Sequence, residues 1–209
     1  MHKIENEIEN EIEGIAAPLM VDNLDTDQIM PKQFLRIITK EGLDQGVLYD
    51  LRFAPDGTPK PDFVLNREEY RGASILIGGA NFGCGSSREH AVWGLQQLGI
   101  EVVIASSFGE IFFGNALNNR LLLIVLEPAQ VDALAAEAAS GASRLAVDLG
   151  DMTVRSAGGL AFPFTLGERH KRMITEGLDM VGATMCQLDA IAAFEQRHFQ
   201  RHPWARVLP

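Results

Sequence analysis

Two hydroxyls and a guanidinium stand side by side at Ser86-Ser87-Arg88, after the glycine-rich run Gly78-Gly79-Ala80-Asn81-Phe82-Gly83-Cys84-Gly85 and before Glu89-His90. Glycines let a backbone take positive φ and come close to a bound group. Ser86 and Glu89 have the S-x-x-E spacing of a capping box, so a helix is expected to start at Ser86 or Ser87. Free backbone N–H groups and the positive end of the helix dipole would then meet the hydroxyls and the arginine, which is a place to hold an anion. An unassisted serine is a poor base. If Ser86 abstracts a proton, its alkoxide needs backbone N–H groups and a cation, and the glycines and Arg88 supply the means.

Three generic readings of this turn fail on spacing. A nucleophile elbow would need a glycine at Arg88, a dinucleotide fingerprint lacks its third glycine, and a P-loop lacks Gly-Lys-Ser/Thr. A turn that merely caps a helix remains open beside the anion site. Cys84 has no base or ligand partner in the sequence pattern and reads as a small packed residue. His90 falls in the first helical turn, where orienting Glu89 or the loop competes with simple packing. His2, His170, His198 and His202 read as surface residues.

The elements around the turn must position it. Ala73 to Ile77 is short, apolar and β-branched, as a buried strand is, and Ala91 to Leu98 has helical spacing. Gly99 suits a helix C-terminus, and Ile100 to Ala105 is the next strand. A second turn, Ser106 to Glu110, leads into a helix over 111–117, and Asn118-Asn119-Arg120 breaks the pattern before a strand at Leu121 to Leu126. Strand, helix, strand, helix, strand implies a parallel sheet with right-handed crossovers and ligands at the carboxyl ends of its strands. Upstream, Ile15 to Val21 reads as a first strand. The crowded acids of Asp22-Asn23-Leu24-Asp25-Thr26-Asp27 fit either an Asx-rich turn capping the next segment or direct ligand contact. An EF-hand is excluded, since the sixth position is not glycine and the twelfth is not glutamate.

Residues 32–50, with Lys32, Arg36 and Lys40, read as mixed helix and loop, and the prolines between Phe53 and Phe63 mark a connection. Beyond Leu126 the sequence predicts a helix over Pro128 to Ala139 and antiparallel strands at 144–149, 152–155 and 162–164. Two closing helices are expected, roughly at 167–176 and 186–197, before a basic tail. The expected class is α/β: a largely parallel core sheet flanked by helices, plus a small antiparallel β section. A single domain is expected over 14–200, between an acidic low-complexity extension at 1–13 and a tail at 201–209. In the extension Ile4, Ile8 and Ile12 recur every four residues and glutamates every two. A solvated segment is the simpler reading than a partner-binding helix.

The chain has 209 residues and a formal net charge of −10, which argues against nucleic acid or an anionic membrane surface as the main partner. Two distant cysteines make no disulfide framework and cannot by themselves hold an iron–sulfur cluster or a structural zinc. No apolar run reaches the length of a membrane span, and the glutamate-rich start is unlike a targeting peptide, so a cytoplasmic protein is expected.

Asn81-Phe82-Gly83-Cys84-Gly85-Ser86-Ser87-Arg88-Glu89-His90-Ala91 resembles the signature of the swivelling domain of the aconitase superfamily. As a separate chain of this length, the sequence is similar to the small subunits of 3-isopropylmalate dehydratases. Supporting matches are Asn23 to Leu35, Pro61-Asp62-Phe63-Val64-Leu65-Asn66, Phe112-Phe113-Gly114-Asn115 and Asn118-Asn119, in consistent order from about Gly14 to Phe194. The resemblance implies a swivelling β/β/α fold and a heterodimer with a large subunit that carries a [4Fe-4S] cluster, this chain supplying no cluster ligand. It implies reversible dehydration and hydration that interconverts 2-isopropylmalate and 3-isopropylmalate in leucine biosynthesis. By that analogy Ser86 takes the carbon-bound proton, Ser87 and Arg88 bind substrate carboxylate, and Arg52 is a second carboxylate-binding arginine. Asp25, Thr26, Asp27, Asn81, Gly83, Gly85 and His90 would support the site. Other readings are the same chemistry on another 2-hydroxy diacid, of methylmalate, dimethylmalate or homoaconitate type, and a dicarboxylate-binding module without catalysis. The stretch from Phe34 to Gly46 is where the substrate's side chain would be sensed.

Overall fold

The computed structural model describes residues 10–36, 41–141 and 144–206. Strand β1 (Glu11–Leu19) opens the fold, followed by the single helical turns α1 (Thr26–Ile29) and α2 (Tyr49–Arg52). Then come β2 (Ile75–Gly78), α3 (Glu89–Gln97), β3 (Val102–Ala105), α4 (Glu110–Asn118), β4 (Leu122–Val125) and α5 (Pro128–Ala139). The last part holds β5 (Arg144–Asp148), β6 (Thr153–Ser156), β7 (Ala161–Pro163), α6 (Glu168–Thr175), α7 (Met180–Met185) and α8 (Leu188–Arg201).

One sheet runs in the order β4-β3-β2-β1-β5-β6-β7. From β1 to β4 the pairings are parallel, with α3 and α4 as crossovers, while β1-β5, β5-β6 and β6-β7 are antiparallel. The expected α/β class and both sections of the sheet are present. Strand β1 serves both ladders: its first half pairs with β5 as far as Ile15↔Arg144, and from Ala16↔Ile75 onward it pairs with β2.

The central strands are apolar on both faces because both faces are covered. Leu76, Val103, Ala105 and Leu123 point into a core with α3 and α4, where Ala91, Val92, Leu95, Phe112 and Ala116 are buried. Their neighbours Ile75, Ile77, Val102, Ile104, Leu122 and Ile124 point the other way, against Val131, Leu134 and Ala138 of α5 and Leu145, Val147 and Val154 of the antiparallel section. Each such Ile or Leu contributes about 1.5–3 kcal/mol by leaving water.

Two boundaries differ from expectation. The stretch read as an extension over 1–13 contributes Glu11, Ile12 and Glu13 to β1. Ile12, 6% exposed, lies in the core opposite Val147, while Glu11 and Glu13 alternate to the solvent face. The two-residue recurrence of glutamate is thus a strand period here; residues before Asn10 lie outside the described residues. At the other end the sequence does not announce α7, although Asp179 caps it by accepting from the Gly182 N–H. Helix α8 runs to Arg201, inside the expected tail, and residues 203–205 add a 3-10 turn.

Candidate active site

The carboxyl ends of β1, β2 and β3 carry three loops that lock together. The Asx-rich loop after β1 meets the glycine-rich turn after β2: Asp22 accepts the Ala80 N–H at 2.7 Å, and the Asn23 N–H donates to the Ala80 carbonyl at 2.8 Å. Asn81 donates from Nδ2 to Asn23 Oδ1 at 2.8 Å, and its N–H donates to Ser107 Oγ in the loop after β3 at 2.8 Å. Phe82, fully buried, is fixed by the Phe82 N–H to Ser107 carbonyl bond at 3.0 Å and the Gly109 N–H to Phe82 carbonyl bond at 2.9 Å.

The capping reading of Asp25 is realised. Its carboxylate accepts the Gln28 N–H at 2.7 Å and the Gln28 side chain accepts the Asp25 N–H, a reciprocal box that starts α1. This fixes Thr26, the buried polar residue of the described core at 1% exposure. The Thr26 N–H donates to the Cys84 carbonyl at 2.8 Å and its Oγ1 donates to the Ser86 carbonyl at 2.9 Å, so the backbone of the serine pair hangs from α1.

That attachment explains why α3 starts later than expected. With Gly85 at φ +97° and the Ser86 carbonyl held by Thr26, Ser86 and Ser87 stay outside the helix, and the S-x-x-E capping box does not form. Arg88, in an extended conformation, precedes the first helical residue, Glu89, and no side chain caps the helix. Both serines are exposed, and no hydrogen bond among the described residues engages either hydroxyl. Gly83, at φ +73°, allows the turn to pass under Phe112: a Cβ there would stand 2.6 Å from Cδ1 of the ring.

Arg88 is 15% exposed and lies across the mouth of the turn, its Nη2 2.6 Å from Asp27 Oδ1 and its Nη1 3.5 Å from the Met30 carbonyl. The pair with Asp27 has the distance of an ion pair without the angle of a hydrogen bond, so the carboxylate oxygen has no directed donor. Asp27 is 42% exposed. The oxygen facing Arg88 is nevertheless buried and the guanidinium is largely covered, so water screens the pair only in part.

The structure thus brings together Asp25, Thr26, Asp27, Asn81, Gly83, Gly85, Ser86, Ser87 and Arg88. His90 lies beside Trp93 on α3, with ring centroids 5.0 Å apart and the ring planes tilted by 52°. Arg52 belongs to a different assembly. Its Nε donates to Asn66 Oδ1 at 3.4 Å and its Nη1 to the carbonyls of Asp44 and Val47 at 3.4 and 3.3 Å, tying the 44–66 segment together. Burial lowers its pKa, and the charge of Asp44 partly offsets this. No hydrogen bond or ion pair joins Arg52 to the glycine turn among the described residues. Cys84 Sγ donates to the Asn23 carbonyl at 3.3 Å, in keeping with a packed residue.

Three contributors escape sequence reasoning. Asp22 and Ser107 act through a side-chain oxygen on a neighbouring loop, and Asn119, in sequence a pattern break and part of a supporting match without an assigned role, bonds to Glu89, Trp93 and Asn115. The asparagine pair is visible as a motif; its partners are not.

A cavity of about 680 Å³ opens between α6 and α7, lined by residues such as Arg169, Arg172, Met173 and Thr184, and holds none of this machinery. Among the described residues no group of three or more His, Cys, Asp and Glu could hold a metal ion, and no helix is long and apolar enough to cross a membrane.

Comparisons with known proteins agree with the geometry. Residues 6–129 match the aconitase C-terminal domain, and residues 180–205 match the C-terminal domain of the 3-isopropylmalate dehydratase small subunit. The 3-isopropylmalate dehydratase small subunit 1 of Chromobacterium violaceum is 60% identical over 200 residues, 95% of this chain and 94% of its own. The small subunit from Roseobacter denitrificans is 48% identical over 192 residues, 91% of this chain and 96% of its own. A crystal structure of 3-isopropylmalate dehydratase from Methanocaldococcus jannaschii shares the fold with a TM-score of 0.64 and 25% identity, covering 88% of this chain and 99% of that one. A serine pair hung from a buried threonine at the carboxyl end of a parallel sheet, together with these matches over nearly the whole chain, establishes that the chain belongs to the family of 3-isopropylmalate dehydratase small subunits within the aconitase superfamily.

Proposed function

We propose that this chain is the small subunit of a two-chain hydro-lyase that interconverts 2-isopropylmalate and 3-isopropylmalate, a step of leucine biosynthesis in the cytoplasm. The observation that carries the reading is the exposed Ser86 hydroxyl on a backbone pinned by Thr26, beside Arg88 at the start of a nine-residue helix. In the reaction Ser86 Oγ takes the carbon-bound proton from the substrate. The resulting alkoxide is stabilised by the positive end of α3 and by the guanidinium of Arg88. Arg88 and Ser87 hold a substrate carboxylate, which would take the place of the Asp27 carboxylate on the guanidinium, one anion replacing another. Arg52 would be a second carboxylate ligand, presented from the 44–66 segment.

Elimination of hydroxide needs an electrophile that this chain does not hold. The chain's two cysteines, Cys84 and Cys186, are too few to ligate an iron–sulfur cluster, and in this reading the cluster is carried by a large subunit that completes the site. When bound, the cluster supplies a Lewis acid for the leaving hydroxyl.

The test is isomerisation of 2-isopropylmalate by the chain purified with its large partner. Ser86→Ala should lower kcat by about 10²–10⁴-fold, the usual contribution of a positioned general base. Turnover near that of the wild type would remove Ser86 from the mechanism.

A further inference from the structure

The glycine-rich turn is held at both ends by α4. At its start, Phe112 of α4 lies against Gly83, and Gly109, which precedes α4, donates to the Phe82 carbonyl. At its finish, the residue after Arg88 is tied to the opposite end of α4: Asn119 Nδ2 donates to Glu89 Oε1 at 2.9 Å and to the Asn115 carbonyl at 2.9 Å. On the other side of the amide, Oδ1 accepts Trp93 Nε1–H at 2.8 Å, and the Asn119 carbonyl accepts Gln96 Nε2–H at 2.6 Å. The indole can only donate and the carboxylate can only accept, so the amide has one orientation that satisfies both. Asn119 is itself fixed as the residue closing α4, its N–H donating to the Asn115 and Ala116 carbonyls, while Arg120 turns left-handed at φ +63° to lead into β4.

We infer that Asn119 is a positioning residue for the reaction: by fixing Glu89 and Trp93 it sets where α3 begins, and so where Ser86 and Arg88 stand. The inference rests on the proposed function of that turn. Its mechanism is geometric. Ser86 hangs from Thr26 on one side, and on the other only Ser87 and Arg88 separate it from the clamped Glu89. Releasing Glu89 lets the first turn of α3 fray, and the guanidinium of Arg88 moves with it. A displacement of about 1 Å is enough to reduce turnover by as much as two orders of magnitude.

Asn119→Asp separates this role from simple packing. The side chain keeps its shape and its acceptor for Trp93, but it loses the donor shared by Glu89 and the Asn115 carbonyl and sets a carboxylate against both. In the two-chain enzyme acting on 2-isopropylmalate, kcat/KM should fall about tenfold, with a rise in KM that a smaller folded fraction would not produce. Adding Glu89→Gln returns a donor to the pair from the opposite side and should restore kcat/KM to within about threefold. In the full-length small subunit alone, backbone hydrogen exchange over residues 86–90 should quicken in Asn119→Asp and return to the wild-type rate in the double variant. Unchanged exchange overturns the inference whether or not the enzyme reading stands. So does a kcat/KM within about twofold of the wild type, or a loss that Glu89→Gln does not recover. A Ser86→Ala enzyme that keeps its turnover overturns the functional reading instead, and leaves the exchange arm to decide the role of Asn119.

Discussion

Replacing Gly83 and Gly85 by alanine, one at a time, should destabilise the chain by unequal amounts for reasons the structure separates. Both glycines have positive φ, +73° and +97°, so an L side chain at either position incurs the left-handed backbone penalty of about 1–2 kcal/mol. At Gly85 that is the whole effect, because the nearest atom to an added Cβ is Thr26 Oγ1 at 3.4 Å, an ordinary contact. At Gly83 the Cβ would meet the ring of Phe112, fully enclosed in the core, at 2.6 Å from Cδ1. Overpacking of this kind adds about 1–3 kcal/mol, for a total of about 2–5 kcal/mol. Urea unfolding of the isolated chain, with m-values compared to confirm that the unfolded state is unchanged, measures both. Combining each variant with Phe112→Leu then tests the cause: the pair with Gly83→Ala should show a favourable coupling, and the pair with Gly85→Ala should be additive within about 0.5 kcal/mol. Equal destabilisation by the two alanines, or additivity in both pairs, would refute the argument that Phe112 sets the height of the turn.

Arg88→Lys should raise KM for the diacid and lower kcat/KM about 10- to 100-fold in saturation kinetics, since an ammonium cannot fork onto a carboxylate as a guanidinium does. His170, whose ring centroid lies 6.3 Å from that of Phe113, has a pKa held down first by burial and then by the charge of Arg169. The unfolded chain therefore takes up this proton before the folded one. Stability should decline as pH falls below the ordinary histidine range and level off once the folded-state pKa is passed. Unfolding free energies at a series of pH values should show His170→Gln flattening that slope; an unchanged slope would clear His170 of the effect.

How much of this is legible in the sequence depends on the range of the physics. The parallel core is readable because Ile75 to Ile77, Val102 to Ala105 and Leu122 to Ile124 are buried on both faces and therefore apolar without interruption. The signature turn is readable because its chemistry is local. The start of α3 is not, since a long-range bond from Thr26 to the Ser86 carbonyl overrides a local capping pattern that is present in full. Glu11 and Glu13 show the two-residue period of a strand, but without the pairing partner Val147 opposite Ile12 that period could equally describe a solvated acidic run. Arg52 is singled out as a carboxylate ligand only by the family resemblance; its partners within the fold, Asn66 Oδ1 and the Asp44 and Val47 carbonyls, are ones that no spacing rule could name.

Strand β1 has a consequence for how the chain acquires its shape during synthesis. Its first half finds its partner only in the Arg144–Asp148 strand, while its second half leads directly into the loop that supports the serines. Until the last third of the chain has emerged, the N-terminal half of β1 exposes an unpaired edge next to a buried isoleucine. Pairings this distant in sequence form slowly and leave nascent chains open to aggregation. A truncated product ending before residue 144 would carry every residue of the serine turn and still lack the strand that anchors the sheet beside it. Pairing of the strand that leads into the serine turn is thus completed only once residues 144–148 are available.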